Sequence, residues 1–75
     1  MDGVFPTDEH FVMVSKIQPG DRVRVLDISS DLMYRHGVYY GLMETSYSEG
    51  EYVAVVRLDD EKLLRPFHYS RVVPA

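Results

Sequence analysis

From Pro19-Gly20 onward, apolar side chains return at every second position in short runs, and nothing of helical length separates the runs. That spacing is the period of a pleated strand with one buried face. Asp21-Arg22-Val23-Arg24-Val25-Leu26-Asp27 shows it most cleanly, with Val23 and Val25 on one side and Arg22 and Arg24 on the other. Gly37-Val38-Tyr39-Tyr40-Gly41-Leu42-Met43-Glu44 reads as a second strand with apolar groups on both faces. Glu51-Tyr52-Val53-Ala54-Val55-Val56-Arg57-Leu58 is the strongest strand in the chain. Residues 28–37 read as a loop with turn residues Ser29, Ser30 and Asp31 and a buried Leu32 or Met33, and residues 46–50 as a hairpin connection. Asp59-Asp60-Glu61 turns the chain into a fourth strand, Lys62-Leu63-Leu64-Arg65, stopped by Pro66. Residues 67–73 are expected to hold one helical turn before a last strand. Parallel strands need crossovers of a dozen or more residues, which are missing here, so the expectation is an all-β antiparallel barrel or sandwich of about five strands. Its interior would come from Val23, Val25, Val38, Tyr40, Leu42, Ala54, Val56, Leu58 and Val72.

Residues 1–18 stand apart as an N-terminal arm, and residues 19–75 form the β domain. In the arm, Thr7-Asp8-Glu9 can cap a short helix running to Lys16, with Phe11, Val14 and Ser15 on one side. Phe11-Val12-Met13-Val14 suits a strand as well, and its β-branched residues tip the reading slightly that way.

Size and composition narrow the functions available. With 75 residues, one thin core uses nearly every apolar side chain, leaving little to wall a deep pocket. There is no cysteine, which excludes disulfides, thiolate metal sites and thiol catalysis. A net charge of −4 argues against a general nucleic-acid coat. No run approaches the roughly 20 apolar residues of a membrane-spanning helix. Met1-Asp2-Gly3-Val4-Phe5-Pro6 lacks the basic start and apolar stretch of a secretory signal, so a cytoplasmic location is expected.

Pro19-Gly20-Asp21-Arg22-Val23-Arg24-Val25 resembles the opening G-D-x-V-x-V strand of small Src-homology-3-like barrels. That group includes KOW-type ribosome and transcription modules and small accessory subunits such as the variable chain of ferredoxin–thioredoxin reductase. Val55-Val56-Arg57-Leu58-Asp59-Asp60 is similar to the V-x-V-R-F-D strand and turn of the group, and Pro66-Phe67-His68-Tyr69-Ser70-Arg71-Val72-Val73 to its one-turn helix and closing strand. The likeness covers residues 19–74 and implies a Src-homology-3-like antiparallel barrel carrying an N-terminal arm. The KOW subgroup would imply nucleic-acid contact, the accessory subunits a protein partner. KOW modules place a glycine and then x-V after the first loop; here Tyr39-Tyr40-Gly41 interrupts that pattern, which sets the nucleic-acid reading second.

The residues themselves offer little to a chemist. His10, His36 and His68 are spaced too far apart for a local metal motif, so no metal and no cofactor are expected. Asp27 to Asp31 lacks the glycine and terminal glutamate of a calcium loop. Ser70 beside His68 is on no nucleophile elbow, and Asp59-Asp60-Glu61 reads as a hairpin tip. No catalytic residue is assigned, and the chain is expected not to be an enzyme. Six tyrosines and a basic set of which six of eight are arginine point instead to an interface. The candidate protein-binding residues are Arg24, Tyr34, Tyr39, Met43, Tyr47, Arg57 and Tyr69. The expected role is that of a non-enzymatic protein-interaction module: an accessory subunit, adaptor or inhibitor working through a tyrosine-rich barrel surface. The alternative is a nucleic-acid or ribosome-associated barrel in which Arg22, Arg24 and Arg71 meet phosphates while Tyr39 and Tyr69 stack on bases. Pairing of edge strands between copies would make a homo-oligomer.

Overall fold

The computed structural model describes residues 8–27, 34–45 and 51–75. The arm is helical. Asp8 caps α1 (Glu9–Ser15) by accepting a hydrogen bond from the Phe11 N–H at 2.7 Å, and Glu9 places a negative charge in the first turn. The strand that β-branching suggested does not form, because Phe11, Val14 and Ile17 recur at helical spacing and Val14 and Ile17 are buried against the sheet. Ser15 is exposed, its hydroxyl donating to the Val12 carbonyl, so it is no part of the packed stripe. Thr7, the other candidate cap, lies outside the described residues.

Gln18-Pro19-Gly20-Asp21 then reverses the chain, with Asp21 N–H donating to the Gln18 carbonyl at 3.0 Å. Gly20 has φ +99°, the conformation that a proline–glycine turn of this kind requires at its third residue. The turn is tied to the middle of the sheet, since Gly20 N–H donates to the Tyr39 carbonyl and Tyr39 N–H to the Asp21 carbonyl.

Five antiparallel strands follow: β1 (Arg22–Leu26), β2 (Tyr34–Glu44), β3 (Tyr52–Leu58), β4 (Arg65–His68) and β5 (Val72–Pro74), with a 3-10 turn, Tyr69–Arg71, before the last. They lie in the order β4-β3-β2-β1-β5, and the sheet is open. The structure is therefore mostly antiparallel sheet with one short helix. β2 is its spine: the first half pairs with β1, the second with β3, and Gly37 and Val38 belong to both ladders. It begins earlier than expected, at Tyr34, inside what read as a loop. The turn and closing strand after His68 match the expectation for residues 67–73.

The core comprises Val23, Val25, Tyr39, Ala54, Val56, Leu58, Phe67 and Val72 from the sheet, with Val14 and Ile17 from the arm. Phe67 on one edge strand and Val72 on the other thus share one cluster. Two expected core residues, Val38 and Tyr40, give way to Tyr39, which was expected to face out: Tyr39 is 2% exposed, whereas Tyr40 is exposed and Val38 only partly covered. The cause is a β-bulge. Tyr39 pairs with Val56 but Gly41 with Val55, so Tyr40 is an extra residue and the alternation shifts by one. Gly41 takes φ +142°, which favours glycine, and beyond it Leu42 again packs on the core opposite Ala54.

β4 also starts later than expected. Lys62, Leu63 and Leu64 are in no strand; the strand carries Pro66 at the edge of the sheet, where its missing N–H leaves no ladder bond unmade. Among the described residues, no helix is long and apolar enough to cross a membrane.

Candidate functional site

Register and burial together sort the side chains of the sheet. In β3, Ala54, Val56 and Leu58 are buried, so Val53, Val55 and Arg57 take the outer side. In β1, Val23 and Val25 are buried, and Arg22 and Arg24 take the outer side. Arg22 stands opposite Val38, which stands opposite Arg57. Arg24 stands opposite His36, and its guanidinium lies 5.6 Å from the ring centre of Tyr34, its diagonal neighbour. This corner of the outer face therefore gathers Arg22, Arg24, Arg57, His36 and Tyr34.

Two carboxylates border the corner: Asp59 and Asp60 share a recess with Tyr34 and His36, and Asp60 is held by Arg35. Arg22 grips Asp59 with both guanidinium nitrogens, at 2.8 and 2.5 Å. Those bonds hold the Asp59 carboxyl below the usual carboxylate range, with the charges of Arg22, His36 and Arg57 adding to the effect. The Arg22 guanidinium is pushed up in return. Arg24 and Arg57 make no ion pair among the described residues.

The outer face changes character towards the far end of β2 and β3. Met43 stands opposite Val53, and Val55 opposite Pro66. With Leu64 they line an apolar groove whose rim carries Glu44 and Arg65. Met43 is 59% exposed and Leu64 51%, a large apolar commitment to solvent for so small a chain.

At the other side of the molecule, rings fasten the helix to the sheet. Phe11 meets Tyr69 edge-on at 5.2 Å and Tyr52 at 5.3 Å, and His68 stacks on Tyr69 at 4.5 Å. His10 Nε2 lies 2.8 Å from the Val72 carbonyl oxygen. The Tyr69 hydroxyl donates to Asp8 at 2.7 Å; this bond raises the Tyr69 pKa and, with the Phe11 N–H next, lowers that of Asp8.

A third constellation closes one end of the sheet. Asp27, 2% exposed, accepts from Arg35 at 2.8 Å and lies 3.7 Å from Arg65. Arg35 also reaches Asp60 at 2.5 Å and Glu61 at 3.3 Å, and Arg65 reaches Glu61 at 3.1 Å. The hydrogen bonds of Asp27 and then Asp60 push the Arg35 pKa upward. The acidic tip at 59–61 is thus the counter-charge for three arginines, a role its sequence position does not advertise.

Of the expected binding residues, Arg24, Tyr34 and Arg57 meet in the basic corner and Met43 lies at the apolar end of the same face. Tyr39 does not belong to this surface: the bulge turns it into the core, where burial raises its hydroxyl pKa. Tyr69 is occupied by Asp8 and the helix rather than presented to a partner. Tyr47 lies outside the described residues. His36, Val53, Val55, Leu64 and Pro66 are not among the binding residues expected from sequence. Val53 to Val56 is apolar throughout, so its alternation is invisible until register is known. The adjacent Leu63 and Leu64 after an acidic turn were the legible signal.

Among the described residues, no three His, Asp or Glu side chains are grouped to hold a metal ion. No protein-family model, no curated protein and no solved structure matches the chain.

Proposed function

We propose that this chain is a small Src-homology-3-like barrel that acts as a non-enzymatic protein-interaction module: an accessory subunit, adaptor or inhibitor. Support for the barrel reading comes from the bent central strand shared by two ladders and from the 3-10 turn leading into a closing strand. Support for the binding reading comes above all from one observation. Met43, Val53, Val55, Leu64 and Pro66 form a continuous apolar strip outside the sheet, while the core is already filled from its inner side and by α1. Exposed strips of this kind on small soluble domains mark contact surfaces.

Capture from a lysate of the native host tests this. Wild-type protein retains a partner that Val55→Ser/Leu64→Ser loses while its thermal midpoint stays unchanged. Equal capture by both proteins contradicts the reading. Retention of nucleic acid released steeply by salt would favour the alternative instead, for which the corner of Arg24, His36, Arg57 and Tyr34 is the specific support.

A further inference from the structure

The two chemistries of the outer face run along one strand. Arg57, Val55 and Val53 follow one another on the same side of β3, roughly 6.7 Å apart at two residues per step. A second extended chain has the same two-residue period on its own facing side. At the Arg57 end stand Arg24, Arg57 and His36, with Arg22 already closed on Asp59. At the Val53 end lies the groove of Met43, Val53, Val55, Leu64 and Pro66, with Glu44 on its rim.

The basic corner is at odds with the chain as a whole, whose net charge is −4. At physiological salt the Debye length is about 8 Å, so distant carboxylates do not cancel it and the local sign governs contact. The corner already stabilises one carboxylate, that of Asp59. We propose that this face binds an extended protein segment in which an Asp or Glu stands two residues from an apolar side chain. The carboxylate meets Arg57 and Arg24, and the apolar side chain lies on Val55 and Val53. A nucleic acid fits less well, because it brings phosphate at every step and the apolar half of the face offers it nothing. The inference rests on the protein-interaction reading above and adds the class of partner.

Panning the full chain against a phage-displayed library of random short peptides tests it. Recovered sequences carry Asp or Glu two positions from Leu, Ile, Val or Phe. Arg24→Glu/Arg57→Glu then weakens the best synthetic peptide about tenfold or more without lowering the thermal midpoint. Recovered peptides without an acidic residue, or affinity changed by less than about twofold in the charge-reversed protein, overturn the acidic assignment. In that case Val55→Ser still weakens the peptide, and the protein-binding reading survives alone. An empty selection, or a single-stranded RNA oligomer binding where no peptide does, overturns both.

Discussion

Single residues decide where this sheet bends and which side chains it hides. A Cβ on Gly37 would lie 2.6 Å from the Arg57 carbonyl oxygen and 2.8 Å from Val56 Cγ1, so β2 and β3 can approach only because that atom is missing. Gly37→Ala should destabilise the fold by about 1–3 kcal/mol, since backbone has to give way; a denaturation midpoint equal to wild type would contradict the close approach. The two tyrosines either side of the chain's apparent midline behave oppositely. Tyr39→Ala empties part of the core and should cost about 3–5 kcal/mol, as for other large aromatic truncations. Tyr34→Ala, at an exposed position, should stay within about 0.5 kcal/mol of wild type. Chemical denaturation of the pair reads the difference directly, and similar losses would contradict the bulge-shifted register.

At the scale of elements, the helix and the ion network each close part of the core. Asp8 caps α1 and accepts from Tyr69, and its carboxyl titrates below the usual value. A carboxyl lowered on folding stabilises fully above its unfolded pKa, about 3.9, and that contribution fades as pH falls through the lowered folded value. NMR titration of the Asp8 carboxyl carbon should show this, and Tyr69→Phe should move the midpoint back up; an unmoved midpoint would contradict the tether. Asp27 poses a different question, being buried against Arg35. Arg35→Met should lower the thermal midpoint because it removes the cation hydrogen-bonded to a buried carboxylate, and adding Asp27→Leu should recover most of the loss. Additive losses would mean the pair is not coupled. Much of this layer was legible: Pro19-Gly20, the alternation at 22–26 and the one-turn helix before Val72 are local signals, set by turn chemistry and period. The helix reads second to a strand by a small margin because Val12 and Val14 weigh against it locally, whereas the Phe11–Val14–Ile17 stripe is rewarded only by a sheet to pack on. The inward Tyr39 was missed because a bulge changes which residues count as alternate.

The described residues form an open five-stranded sheet whose inner side and short helix make the core. Its outer side is divided between arginines and apolar groups. Both edge strands are short and carry a proline, Pro66 and Pro74, features that discourage strand pairing between copies. The tyrosine count pointed to the outside of the sheet but not to its location, because tyrosines serve core, helix tether and surface alike here. The long-range pairing of Asp59 with Arg22 and of Asp60 with Arg35 had no local signal. In the proposed function, partners engage the outer face of β1 to β4. The most direct test is a methyl and backbone NMR titration of the full chain with a selected peptide. Shifts should gather at Met43, Val53, Val55, Arg57 and Leu64 while Val14 and Tyr69 stay still. Shifts centred on α1 and Tyr69, with the β3 outer side unmoved, would contradict it.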